Sequence, residues 1–329
     1  MARLTPLWDS DTPAIHAAID MLFAPVFETT SESLETIRLY DQRSSDWLFS
    51  RRMRLTASNF GAAAGLSPYC SPKKLLLQML FGSFKGNAAT EYGSKNEKQA
   101  CDAYVDAVNS QGKTIEYRDS GLSISPAFPF LGASPDGIIT AQCSSIFRKF
   151  PPRLNPVSFD SFHPKVSLPL RFELVTCNFN PDIGLVTTSR WQQPVEFPHE
   201  FLLEIKCPFR KRLYGTIPAY YYAQIQGCME ILDLPYTHFY VWTPTCSSLD
   251  CYPRNVEFWT EFLRPRLVSF YFEQYMPLAF LESRGELVNR PREGEASEQW
   301  LEPSQFVSTE YLETVRSYCR TLMSSYIII

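Results

Sequence analysis

The chain is 329 residues long with a net charge of −4, 45% hydrophobic and 20% charged residues, so it is long for one domain, short for two full ones, and apolar enough to bury a sizeable core. That charge excludes a module that coats nucleic acid with a broad cationic face, yet leaves room for an enzyme that grips a few phosphates with local cations. No apolar run approaches the ~20 residues of a membrane-spanning helix. The start, Met1-Ala2-Arg3-Leu4-Thr5-Pro6-Leu7-Trp8, has no signal-peptide core, and nine scattered cysteines without a Cys-x-x-Cys pair read as reduced, mostly buried thiols of a soluble intracellular protein, nuclear if its host is eukaryotic.

Two helices are expected over 11–23 and 30–50, the second opened by a capping box of Thr29 and Glu32 and striped with Leu34, Ile37, Leu39 and Trp47-Leu48. It runs into Arg51-Arg52-Met53-Arg54-Leu55-Thr56-Ala57-Ser58, where Thr56 or Ser58 caps a new helix; a helix start also offers N–H groups to an anion. Lys73-Lys74 and Arg210-Lys211-Arg212 are further cation clusters, each by itself an ordinary solvated face. Ser71-Pro72 opens a helix to Leu80, a loop spans 82–87, and 91–108 reads as a helix. On that last helix Glu97 lies on the stripe of Cys101, Tyr104 and Val108, where a carboxylate is costly unless it is paired or bound to a metal.

Phe130-Leu131-Gly132-Ala133-Ser134-Pro135-Asp136-Gly137-Ile138-Ile139 sets a Pro-Asp-Gly turn between two apolar runs, a hairpin signal. Residues 141–199 then hold eight prolines and a single glycine, Gly184, which marks an insertion, with strand pieces near 172–176 and 184–187. In Leu202-Leu203-Glu204-Ile205-Lys206-Cys207-Pro208-Phe209, alternation puts Glu204 and Lys206 on one strand face, opposite Leu203 and Ile205. An isolated Glu-x-Lys is ordinarily an ion pair on a half-exposed edge strand. Pro218 starts a helix through 232 on which Gln224, Cys228 and Ile231 share a face; 238–243 is a strand with the near-continuous apolar character of a central one. Residues 256–276 form a long aromatic-rich helix, 283–303 a polar linker and 309–323 a last helix, leaving the apolar tail Tyr326-Ile327-Ile328-Ile329 unexplained.

Asp136, Glu204 and Lys206 spell Pro-Asp…Glu-x-Lys. Together with Gly132-Ala133-Ser134-Pro135-Asp136-Gly137, Glu204-Ile205-Lys206-Cys207-Pro208-Phe209 and Tyr222-Ala223-Gln224-Ile225-Gln226-Gly227-Cys228-Met229, the pattern resembles the lambda exonuclease (YqaJ-type viral recombinase) branch of the PD-(D/E)XK nuclease superfamily, over roughly residues 45–280. The resemblance implies an α/β (α+β) fold: a restriction-endonuclease-like core with a central mixed sheet of four or five strands, flanked by helices and interrupted by the insertion. It divides the chain into a helical region over 1–50, a nuclease core over 51–282, and a C-terminal linker and helix over 283–329.

By the same resemblance, two Mg²⁺ ions (or Mn²⁺) would be held by Asp136, Glu204, the Ile205 carbonyl and Glu97, with Lys206 orienting and helping to deprotonate the attacking water and Gln224 positioning Lys206 or the nucleophile. A dication beside Lys206 would lower its pKa. Arg51, Ser58 and Ser134 would bind the 5′-phosphate of a DNA end, with Arg54 and Arg210 as further DNA contacts. The implied activity is 5′→3′ exonuclease digestion of linear duplex from 5′-phosphorylated ends, leaving 3′ overhangs for recombination or repair. Implied partners are double-stranded DNA ends, a single-strand annealing protein and two further copies of the chain in a ring-shaped trimer. A PD-(D/E)XK endonuclease or nickase, an alkaline-nuclease-like enzyme and a catalytically silent DNA-binding relative remain as alternatives.

Overall fold

The computed structural model describes residues 12–42, 44–82, 86–110, 114–141, 200–287 and 307–327. It opens with three helices: α1 (Thr12–Phe27), α2 (Ser31–Arg38) and α3 (Ser45–Arg51). The helix expected over 30–50 is therefore broken, and its cap is Thr30, paired with Ser33, in place of Thr29 with Glu32. The break is forced by what lies beneath it. A side chain on Gly121 would come within 2.0 Å of the Arg38 carbonyl oxygen, so the chain crosses here backbone against backbone, and Ser44 must restart the helix by accepting from the Trp47 N–H. Leu39 and Leu48, expected in the apolar stripe, are exposed.

Next come β1 (Leu55–Thr56), α4 (Ala57–Ala63), α5 (Pro72–Phe81) and α6 (Ala88–Asn109). α6 starts three residues ahead of the predicted position because Asn87 caps it, accepting from the Ala89 and Thr90 N–H groups. Four strands follow, β2 (Ile115–Arg118), β3 (Ser123–Ile124), β4 (Leu131–Ala133) and β5 (Gly137–Ala141), then β6 (Glu200–Lys206), α7 (Ala219–Leu232), β7 (Tyr236–Trp242) and β8 (Ser247–Pro253). The strand pieces expected at 172–176 and 184–187, like the rest of 142–199, lie outside the described residues, as does most of the predicted linker over 283–303.

Two mixed sheets result, flanked by helices: β1–β4–β3 and β2–β5–β6–β7–β8. β4 and β5 are not a hairpin. β4 runs parallel to β1, while β5 lies antiparallel between β2 and β6, so Ser134-Pro135-Asp136 is a corner that carries the chain from one sheet to the other. β6 occupies the middle of the larger sheet, antiparallel to β5 and parallel to β7, which rules out the edge-strand reading of Glu-x-Lys. Its side chains bury alternately. Phe201, Leu203 and Ile205 pack with Ala100, Tyr104 and Val108 of α6; Leu202 joins Ala223 and Ile225 of α7 on the opposite side.

The long helix predicted from 256 continues to Ser283 as four segments: a π-helical stretch Phe258–Leu263, α8 (Arg264–Ser269), a second π-helical stretch Phe270–Tyr275 and α9 (Met276–Ser283). Phe270, Tyr271 and Phe272 are all buried, which a helix covered on one side only could not achieve, since three consecutive residues span ~200°. Here α5, α1 and α10 (Thr309–Ile327) cover it from different sides. Tyr326 of α10 packs among Phe27, Phe128, Phe130 and Phe272, which accounts for the start of the apolar tail; Ile328 and Ile329 lie outside the described residues. Of the described cysteines only Cys228 and Cys319 are buried, fewer than composition led us to expect, and none is in a disulfide. No described helix is long and apolar enough to cross a membrane.

Candidate active site

Period-two alternation on β6 aims Glu204 and Lys206 at α7. Glu204 Oε1 accepts from Lys206 Nζ and, at 2.6 Å, from Gln224 Nε2, so the inward-facing glutamine of α7 reaches Glu204 itself. Glu204 Oε2 is buried without a hydrogen-bond partner. The Asp136 corner meets β6 because Gly137 pairs with Leu203, and the ladder between β5 and β6 ends there. The next inward N–H, that of Ile205, is taken by Asp136 Oδ2 at 2.6 Å. Asp136, Glu204, Lys206 and Gln224, separated by up to 88 positions in the sequence, thus converge on one buried spot.

Its electrostatics follow from burial. Desolvation raises the Glu204 carboxyl to about 7, helped by the Asp136 charge and more weakly by Glu97, against the pull of Lys206. Burial likewise raises Asp136, against Lys206 and the Ile205 N–H. For Lys206 burial alone would lower the pKa, but Glu204 and Asp136 outweigh it and hold the ammonium raised. A lowered Lys206 was expected for a cation-loaded site; with carboxylates alone around it the shift runs the other way. Lys206 Nζ also lies 4.8 Å from the Tyr221 ring centroid.

No group of three or more His, Cys, Asp or Glu residues among those described is arranged to hold a metal. Glu97 acts on Glu204 and Cys207 through its charge and does not complete such a triad. What remains suits a hard divalent ion: a buried carboxylate with an orphaned oxygen and a half-buried one beside it, which repel each other. Mg²⁺ is commonly bound through one or two carboxylates plus waters.

A second cluster lies beside the first. Arg51, the last residue of α3, donates from Nη2 to Thr56 Oγ1 at 3.0 Å, and Thr56 Oγ1 lies 3.4 Å from Ser58 Oγ. Its guanidinium sits 4.2 Å from the Trp47 ring centroid. Burial lowers Arg51 to about 10, which leaves it cationic at neutral pH. Thr56 pairs in parallel with Gly132 of β4, two residues ahead of Ser134, whose hydroxyl is buried without a partner; Ser58 has by then turned into α4. The chain therefore runs from β4, whose Gly132 pairs with Thr56 of the second cluster, through the corner to Asp136 of the first.

Arg54 is not part of this surface. It is buried, and donates to the carbonyls of Pro129, Ser50 and Pro25 at 3.0, 2.7 and 2.8 Å; with its fork committed to the backbone, it ties α1 and α3 to the corner's sheet. Arg210 is exposed in the turn after β6. Sequence reasoning missed Trp47, Thr56, Tyr117 and Tyr221 as site residues: Trp47 and Thr56 lie four and five positions from Arg51, while Tyr117 and Tyr221 reach the site through tertiary contacts, hinted at for Tyr117 by Gly137 directly after Asp136, a glycine in a strand that signals a close neighbour.

Residues 46–235, more than half of the chain, match the family model of the YqaJ-like viral recombinase domain. No curated protein matches the sequence. Among solved structures, an alkaline exonuclease (LHK-Exo) from Laribacter hongkongensis is similar, at 17% identity over 74% of this chain and 98% of that one, with a TM-score of 0.46. LHK-Exo in complex with dAMP matches with the same figures.

Proposed function

We infer the function from the family to which this chain belongs, that of the YqaJ-like viral recombinase domains: it is a metal-dependent DNA exonuclease that digests linear duplex 5′→3′ from 5′-phosphorylated ends. The observation that carries this reading is the run of chain from β4 into the corner. The carboxylate–lysine cluster, suited to phosphodiester hydrolysis, takes Asp136 from that run, and the cationic hydroxyl cluster, suited to a terminal phosphate, takes Thr56, whose strand pairs with β4 just ahead of Ser134-Pro135-Asp136. Asp136 and Glu204 would hold Mg²⁺ or Mn²⁺, with the Ile205 carbonyl as a further oxygen and Glu97 at longer range. The chemistry such ions supply is charge neutralisation at the phosphoryl group and activation of water. Lys206 orients the nucleophile, Gln224 fixes the Glu204 carboxylate, and the Arg51 guanidinium with Ser58 and Ser134 seats the 5′-phosphate. In the same reading the products are 3′ overhangs for recombination or repair, passed to a single-strand annealing protein, and the working form is a homotrimer.

The test compares linear and covalently closed duplex, each linear form with 5′-phosphate or 5′-hydroxyl ends, with and without Mg²⁺. Mg²⁺-dependent degradation of phosphorylated linear duplex, with circles spared, is the expected result. Rapid cutting of circles would replace the exonuclease by an endonuclease.

A further inference from the structure

Deepening the nuclease reading, on which it rests, we propose that Tyr117 is a positioning residue for Asp136, its phenol holding the backbone of the corner that carries the cation-binding carboxylate. Tyr117 lies on β2, paired with Ile139 of β5. Its hydroxyl reaches the Asp136 carbonyl oxygen at 2.8 Å and Asp119 Oδ1 at 2.7 Å. A phenol has one proton, so these two acceptors compete for it. The ring occupies the space over Gly137, where a Cβ would sit 2.3 Å from ring Cε2.

This arrangement answers a mechanical problem. The Asp136 side chain is held from inside by the Ile205 N–H, but its backbone leads straight into a glycine, the residue with the most conformational freedom. Tyr117 removes that freedom twice, with its ring against Gly137 and its hydroxyl on the Asp136 carbonyl. Gln42 Nε2 adds a weaker hold on the same corner, donating to Pro135 O at 3.4 Å and to Ser120 O at 2.8 Å.

The probe is Mn²⁺ alone, titrated calorimetrically into the full chain, with kcat and KM measured on linear 5′-phosphorylated duplex. Tyr117→Phe keeps the ring and deletes the hydroxyl. Loss of an outer hydrogen bond to a ligand costs about 10–100-fold, so Mn²⁺ binding weakens by that factor and kcat falls with it, while KM for DNA ends stays constant because the Arg51 cluster is untouched. Asp119→Asn converts the competing acceptor into a group able to donate to the phenol oxygen, which leaves the proton to the Asp136 carbonyl; Mn²⁺ then binds at least as tightly as to wild type. Arg118→Ala, next to Tyr117 on β2, breaks an exposed ion pair with Glu200 of β6, controls for strand stability and changes neither quantity. Wild-type Mn²⁺ affinity and kcat in Tyr117→Phe overturn the proposal, as does an Asp119→Asn loss equal to that of Tyr117→Phe. A wild type that neither binds Mn²⁺ nor degrades linear duplex overturns the nuclease reading and this proposal with it.

Discussion

Glu204 is 1% exposed and has a second, half-buried carboxylate, Asp136, beside it. Its folded pKa of about 7 lies above the ~4.3 of an unperturbed glutamate, so between those values the folded state binds more protons than the unfolded state. Stability from this group is complete below the lower value and is lost as pH rises through about 7. In chelator, the unfolding temperature should therefore fall between pH 5 and pH 8, and Glu204→Gln, which keeps an acceptor for Lys206, should flatten the slope. A slope unchanged in that variant would move the effect to Asp136 or elsewhere. Arg51 supports a separate prediction. Charge-assisted hydrogen bonds contribute about 1.5–3 kcal/mol, so Arg51→Ala should slow digestion of 5′-phosphorylated ends roughly 10- to 150-fold and affect 5′-hydroxyl ends far less. Equal losses on both ends would make Arg51 a general backbone contact. Since the guanidinium already bonds Thr56 and lies over Trp47, it is pre-positioned for a planar double contact that lysine could not make.

Among the elements, the crossing of α4 over α7 places the two clusters relative to each other, because α4 follows Thr56 and α7 carries Gln224. The helices touch through glycines. A Cβ on Gly61 would lie 2.5 Å from Tyr220 Cβ and 2.6 Å from its Cα, whereas one on Gly227 would meet only the Phe60 ring, at 2.3 Å. A ring can swing and a helix backbone cannot. Gly61→Ala should thus cost about 1–3 kcal/mol by overpacking, and more than Gly227→Ala; denaturant midpoints of the two variants measure the order, and the reverse order would show that α7 shifts as a unit. The Gly61 substitution should also depress activity beyond its effect on folding, since Tyr220 packs 4.3 Å from Tyr221, whose ring lies under Lys206.

On the scale of the whole molecule, one apolar core runs from α1 through the sheets to α10. Tyr311, Val315 and Cys319 of α10 are buried in it, and the Tyr311 hydroxyl donates to the buried Glu286 at 2.8 Å. Each large apolar side chain buried contributes ~1.5–3 kcal/mol, so a chain ending at residue 306 would forfeit an amount comparable to the ~5–15 kcal/mol that stabilises an ordinary domain. That truncation should abolish cooperative thermal unfolding and expose a dye-binding apolar surface around Phe27, Phe130 and Phe272. A sharp, near-wild-type transition would mean that α10 is an appendage to a self-sufficient core.

Strand alternation and helix periodicity were enough to pair Glu204 with Lys206 on one face and to turn Gln224 inward, because these depend on spacings of two to four residues within one element; Asp136, Arg51 and Ser58 became candidates through the motif words that resemble the family. The near-continuous apolar reading of 238–243 likewise marked a central strand. Three outcomes lay beyond that range. Pro-Asp-Gly reads locally as a hairpin, yet partners 60 or more residues away pull the flanking strands into different sheets, so the chain between them turns a corner that carries Asp136 to β6. Arg54 looks like Arg51 in sequence; only the carbonyls of Pro129 and Pro25, brought in by folding, consume its donors. Tyr117 has no local signature, since its partner across the strand pair is chosen by register. Spacing along one element is written in the chain, whereas which buried polar group meets which partner is decided when the elements pack and each donor or acceptor must be satisfied away from water.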